Sequence, residues 1–136
     1  MIAEDYVSFE TAKLLKEKGF REICNKCYGI ESKKFFSDIR SNDDDTMYAA
    51  PTHQMAMKWL REVHEFIVTI DYDRYPVYEE NDIVGYGYNI QTKDNPEDYY
   101  RISESVYNSH EDACEAAIKY CLENLIWDMK AYTEWY

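Results

Sequence analysis

The chain has 136 residues, 46% of them hydrophobic and 16% aromatic, with 15 Lys/Arg against 27 Asp/Glu for a formal net charge of −12. That size and apolar content suit a single domain, residues 1–136, with a bulky core, and 4 Gly with 3 Pro argue against disorder. The negative balance disfavours duplex DNA and anionic lipid, because each phosphate contact needs a local cation. It is also unevenly placed: residues 1–40 carry 8 Lys/Arg and 7 Asp/Glu, whereas residues 41–136 carry 7 and 20.

The elements follow in chain order. Ser8 to Lys18 reads as a first helix, with Ser8 as its cap, Ala12, Leu14 and Leu15 as its apolar stripe and Gly19 as its left-handed stop. Tyr28–Ile30 and Phe35–Ile39 read as a short hairpin, and Ser41–Thr46 as a polar loop. A second helix runs from Pro51-Thr52 to about His64, with Met55, Ala56, Trp59, Leu60 and Val63 recurring at helical spacing.

The period then changes to two. Phe66, Val68, Ile70 and Tyr72 alternate with Ile67, Thr69 and Asp71, as Val84, Tyr86, Tyr88 and Ile90 do with Gly85, Gly87 and Asn89, and Tyr100, Ile102 and Val106 with Arg101, Ser103 and Ser105. Ser109, three residues before Asp112, opens a last helix that carries Ala113, Ala117, Cys121 and Leu125 on one face. The predicted fold is therefore α+β. A three-stranded antiparallel meander is packed by helices (helix, three strands, helix from residue 51), after an N-terminal helix and hairpin. Residues 127–136 form an aromatic C-terminal extension with Trp127, Met129, Tyr132, Trp135 and Tyr136.

No apolar run reaches the roughly 18 residues of a membrane helix; the best, Phe66 to Ile70, has strand length. The opening Met1-Ile-Ala-Glu-Asp5 lacks the basic and apolar regions of a secretory signal. The expected compartment is the cytoplasm, with Cys24, Cys27, Cys114 and Cys121 reduced.

Candidate chemistry is sparse. Cys24-Asn-Lys-Cys27 supplies half of a zinc site or a thiol pair, and Cys114 and Cys121 stand about 10 Å apart along a helix, too far to join one ion together. Asp71, Asp73, Glu79, Glu80 and Asp82 alternate or follow closely enough to surround a divalent ion or to form a solvated edge. His53, His64 and His110 complete no nucleophile–base–orienter set, and Gly85-Tyr-Gly87 sits inside a strand pattern, where it marks a bulge or a close backbone approach. No cofactor is implied. The tyrosines are the stronger signal: Tyr75, Tyr78 and Tyr99 fall on expected loops, where burial is difficult and contact with a partner is favoured.

Two resemblances bear on this reading. The opening Tyr6–Phe20, the block Ala49-Ala-Pro-Thr52 with Ala56–His64, and Glu111–Ile118 resemble a functionally uncharacterised family of small proteins borne by phages and prophages of gut anaerobes. That resemblance implies a mobile-element origin and an α+β domain, and brings no catalytic residues. The order helix, three strands, helix is similar to the double-stranded-RNA-binding domain. The phosphate-gripping lysines that such a domain carries on its last helix are replaced here by His110-Glu-Asp-Ala-Cys-Glu115.

The functional expectation is a non-enzymatic, acidic protein-interaction module, in its sharper form a nucleic-acid mimic. Tyr75, Tyr78, Glu79, Glu80, Asp82 and Tyr99 are its contact residues, and its partner is an unidentified, basic protein rather than nucleic acid or membrane. The alternative is a small metal-dependent or thiol-based enzyme built on Cys24 and Cys27. A homo-oligomer closed by Trp127 and Trp135 is compatible with either.

Overall fold

In a computed structural model, residues 2–77, 81–94, 99–102 and 106–126 are described, with the backbone alone described for 73–77, 81–83 and 99–102. Helix α1 (Phe9–Glu17) starts where expected. The Ser8 side chain accepts the Thr11 N–H at 3.2 Å, and the chain leaves through Gly19 at φ +93°, a conformation that favours glycine. Strands β1 (Cys24–Gly29) and β2 (Phe35–Arg40) form the anticipated hairpin, and β3 (Met47–Ala49) pairs with the other side of β1.

The third strand follows directly on the expected loop, Ser41–Thr46, where no element was expected. It is held there by buried Asn42, which accepts the Ala49 N–H at 2.8 Å and donates to the Phe20 carbonyl at 3.0 Å. One side chain thus ties the polar turn to both the segment that follows α1 and the sheet. A three-residue strand leaves too little alternation to be read from the sequence.

Helix α2 (His53–His64) is capped by Thr52, which accepts the Met55 N–H at 3.1 Å. Its buried side differs from the expected stripe: Met55 and Val63 are exposed, while His53, Ala56, Met57, Trp59 and Leu60 are buried. The spacing 53, 56, 57, 60 is itself helical. A histidine occupies the first core position, and that substitution of polar for apolar rotates the apparent face.

Three strands follow, β4 (Phe66–Val77), β5 (Asn81–Thr92) and β6 (Tyr99–Ile102), in the sheet order β4-β5-β6. The β4–β5 ladder is continuous from Phe66↔Thr92 to Val77↔Asn81, so both strands outrun their expected ends. Tyr75 and Asp82 lie within this ladder and Tyr99 begins β6, so none of the three is a loop residue.

The hydrogen-bond parity explains how β4 passes through a proline. The Lys93 N–H donates to the Glu65 carbonyl, and Tyr86 and Tyr107 exchange N–H bonds on the opposite side of β5. Odd-numbered residues of β4 therefore face β5, and Pro76, an even position, removes no ladder bond. Gly85 is the close approach anticipated: a Cβ there would meet Val106 Cγ1 at 2.4 Å and the Tyr107 carbonyl oxygen at 2.9 Å. Val106 itself lies outside β6, with Tyr107 bridging back to Tyr86.

Helix α3 (His110–Tyr120) is capped by Ser109, which accepts the Asp112 N–H at 3.0 Å, and it widens into a π-turn over Cys121–Leu125. The core joins α1, α2, α3 and the near half of the second sheet through Leu15, Phe20, Leu60, Tyr88, Ile90, Ile118 and Leu122. No described helix is long and apolar enough to cross a membrane.

Candidate functional site

The inner face of the second sheet pairs Phe66 with Thr92, Val68 with Ile90, Ile70 with Tyr88 and Tyr72 with Tyr86. Ile90 is fully buried and Tyr88 is 5% exposed, both beneath the helices. Further along the same face, Tyr72 is 65% and Val84 49% exposed. The alternation of apolar residues thus continues past the end of the helical cover. Tyr72 packs on Tyr86 at a centroid separation of 4.9 Å, and Tyr86 meets the edge of His110 at 5.8 Å. These rings make a row that leads from the outer ribbon to the start of α3.

Beside His110 is a cleft of about 150 Å³ lined by Glu4, Asp5, Thr52, His53, Gln54, His110, Glu111 and Cys114. Its rim is acidic. Glu111 is held below the ordinary carboxylate range, first by its own backbone N–H and further by Ser109, Asp5 and His110. The Cys114 thiol is within 3.4 Å of His110 Nδ1, an arrangement that in an electropositive setting would favour a thiolate. Here burial, with Glu111, Asp5 and Glu115 adding to it, pushes the thiol up to about 11. It stays protonated at neutral pH. The surroundings suit a guest cation rather than an activated nucleophile.

Behind the cleft, Glu115 of α3 joins three helices. Its Oε1 accepts the Ser8 backbone N–H at 3.1 Å and lies 2.9 Å from His53 Nε2; its Oε2 accepts the Ser8 hydroxyl at 2.8 Å and a short bond from the Thr11 hydroxyl. A carboxylate only accepts, so His53 carries its proton on Nε2. Burial pushes the Glu115 carboxyl up, but the bonds from His53, Thr11 and Ser8 outweigh it and hold the group below its usual range. All four contacts are intramolecular, which makes this a structural clasp for the cleft. Ser8 was legible as a cap, but its partnership with a carboxylate 107 residues away had no local signal.

Among the contact residues expected from the sequence, Tyr78, Glu79 and Glu80 lie outside the described residues, as do Trp127 and Trp135. Tyr75, Asp82 and Tyr99 are placed by backbone: Tyr75 pairs with Ile83, Asp82 with Pro76, and Tyr99 with Gln91. Asp71 is exposed and accepts from Asn89 Nδ2 at 2.6 Å.

Cys24 and Cys27 are both buried on β1, three positions apart, and strand alternation turns them toward opposite faces. Cys27 Sγ lies 3.8 Å from Met47 Sδ, and the Cys24 thiol is pushed up to about 11 by burial, Glu22 and Cys27. Among the described residues, no three His, Cys, Asp or Glu side chains are grouped to hold a metal ion.

This sequence matches no protein-family model, and neither the curated proteins nor the solved structures contain a match to it.

Proposed function

We propose that this protein is a non-enzymatic interaction module of mobile-element origin that binds a basic protein through the outer β4–β5 ribbon and the acidic cleft beside it. The observation that carries the reading is the uncovered inner face, where Tyr72 and Val84 remain exposed next to Tyr86, His110 and the carboxylates of Asp5 and Glu111. Aromatic side chains provide contact area at low entropic cost, and the carboxylates attract a Lys- or Arg-bearing partner. The formal charge of −12 adds long-range attraction to such a surface.

In its sharper form the module is a nucleic-acid mimic, competing for the phosphate-binding surface of a DNA- or RNA-handling protein. Tyr75, Tyr78, Glu79, Glu80, Asp82 and Tyr99 then extend the contact along and beyond the ribbon. The cytoplasm is the compartment where such partners reside.

The test is affinity capture from nuclease-treated host extract at low and high salt, with the wild-type chain and with Asp5→Lys/Glu111→Lys. A basic protein retained at low salt, released at high salt and lost by the charge-reversed variant supports the reading. Retention that ignores both salt and the two substitutions contradicts it.

A further inference from the structure

The exposed edges of the two sheets are protected unequally. β2 has six residues and is bulged against β1, with Asp38 and Arg40 near the irregularity; β3 has three residues, and β6 has four with a register shift. Short, bulged and charged edges are the usual devices that stop sheets from pairing with other chains. β4 has 12 residues, its register against β5 is unbroken, and its stretch Phe66-Ile-Val-Thr-Ile70 carries no charge. Among the described residues its outer edge pairs with no strand.

The parity described above turns the N–H and C=O groups of Val68, Ile70 and Tyr72 outward along that edge. An incoming antiparallel strand must match even positions with even positions. For a second copy of β4 this allows a few two-fold registers, which the acids of the segment separate. Centring on Val68 opposes Glu65 to Asp71, and centring on Thr69 opposes Glu65 to Asp73. Centring on Asp71 opposes that residue to itself, and centring on Tyr72 opposes Asp71 to Asp73. Centring on Ile70 sets Val68 against Tyr72 and Thr69 against Asp71, with no like charges facing.

We infer that β4 is a homodimer edge, with two copies joined antiparallel about Ile70 into one six-stranded sheet. The joined sheet continues the apolar inner face across the two-fold axis and points the two outer ribbons in opposite directions, so the surface of the proposed function is presented twice. This inference does not depend on that function. It also differs in its response to salt: screening weakens attraction to a basic partner but favours association of two chains that each carry a charge of −12.

Sedimentation equilibrium of the full chain, over a range of protein and salt concentrations, tests the register through an exposed residue that leaves the core untouched. Thr69→Glu places two acids against the two copies of Asp71 and is expected to weaken the dimer roughly two- to thirty-fold, while Thr69→Lys strengthens it over a similar range. Thr69→Glu/Asp71→Lys restores it. A chain that stays monomeric at millimolar concentration in high salt overturns the inference, whether the edge is left free or is occupied by residues 127–136. A dimer indifferent to all three variants overturns it as well.

Discussion

Tyr72 and Val84 carry the apolar alternation of the β4–β5 pair into its outer half, and the two halves have opposite fates. In the near half, Tyr88 and Ile90 are buried and Val68 and Ile70 pack against the core; in the outer half, Tyr72 and Val84 remain largely exposed. The comparison teaches that strand periodicity reports which face is apolar, and that the length of the opposing layer decides whether that face is core or contact surface. Twelve-residue strands rise about 40 Å, whereas α3, with the π-turn that continues it, spans only about half of that. The surplus strand has no helix to cover it among the described residues.

The sharpest way to break the comparison is to truncate one side chain in each half of β5. Ile90→Ala, in the fully buried half, is expected to cost about 2–5 kcal/mol in urea denaturation, and Val84→Ala less than about 0.5 kcal/mol. Equal losses would mean that the outer half is held as firmly as the inner.

Next in size is Gly85→Ala, at the point where the ribbon meets Val106 and Tyr107. The added methyl must displace backbone as well as a side chain, and a loss of about 1–3 kcal/mol is expected by the same measurement. Asn42→Ala, in the turn before β3, leaves the Ala49 N–H unmatched and the Phe20 carbonyl with only the exposed Arg21 side chain, and is expected to cost about 1–3 kcal/mol.

A smaller and pH-dependent effect belongs to the clasp and, apart from it, to His64 at the end of α2. Glu115 is held below 4.5 in the fold and His64 below 6.5, the latter by burial. Both groups therefore bind protons more readily when unfolded, so stability rises with pH. The His64 contribution is present above about 6.5 and fades as pH falls through its lowered folded value; the Glu115 contribution follows the same course below about 4.5. Chemical denaturation from pH 7 to pH 3 should show both losses, and Glu115→Gln should flatten the acid limb. A small effect is also expected for Tyr72→Ala, about 1 kcal/mol or less, because the ring gives up its contact with Tyr86 but is 65% exposed.

Much of the fold was legible in the sequence, because its signals are local. Ser8, Thr52 and Ser109 cap the helices they precede, Gly19 takes the left-handed stop, and the inner faces of β4 and β5 follow their period-two pattern. The parts that escaped are non-local. β3 is fixed by Asn42 rather than by its own three residues, and His53 is buried because Glu115 waits for it 62 positions away. Tyr75 and Asp82 read as loop residues because charges and a proline interrupt the apolar pattern. The ladder nevertheless passes through them, since Pro76 falls where no N–H is needed. The cleft is assembled from three separated segments, Glu4–Asp5, Thr52–Gln54 and His110–Cys114, and only the tertiary packing of α2 and α3 reveals it.

The most direct test of the central claim uses one variant and two readouts. Tyr72→Ala/Val84→Ala should keep nearly the wild-type denaturation midpoint while losing the basic protein captured at low salt. Loss of capture with stability intact is the result expected of an uncovered contact surface. A variant that unfolds early, or one that keeps its midpoint and still holds the same partner, would contradict the division of the ribbon into a covered core half and an uncovered binding half.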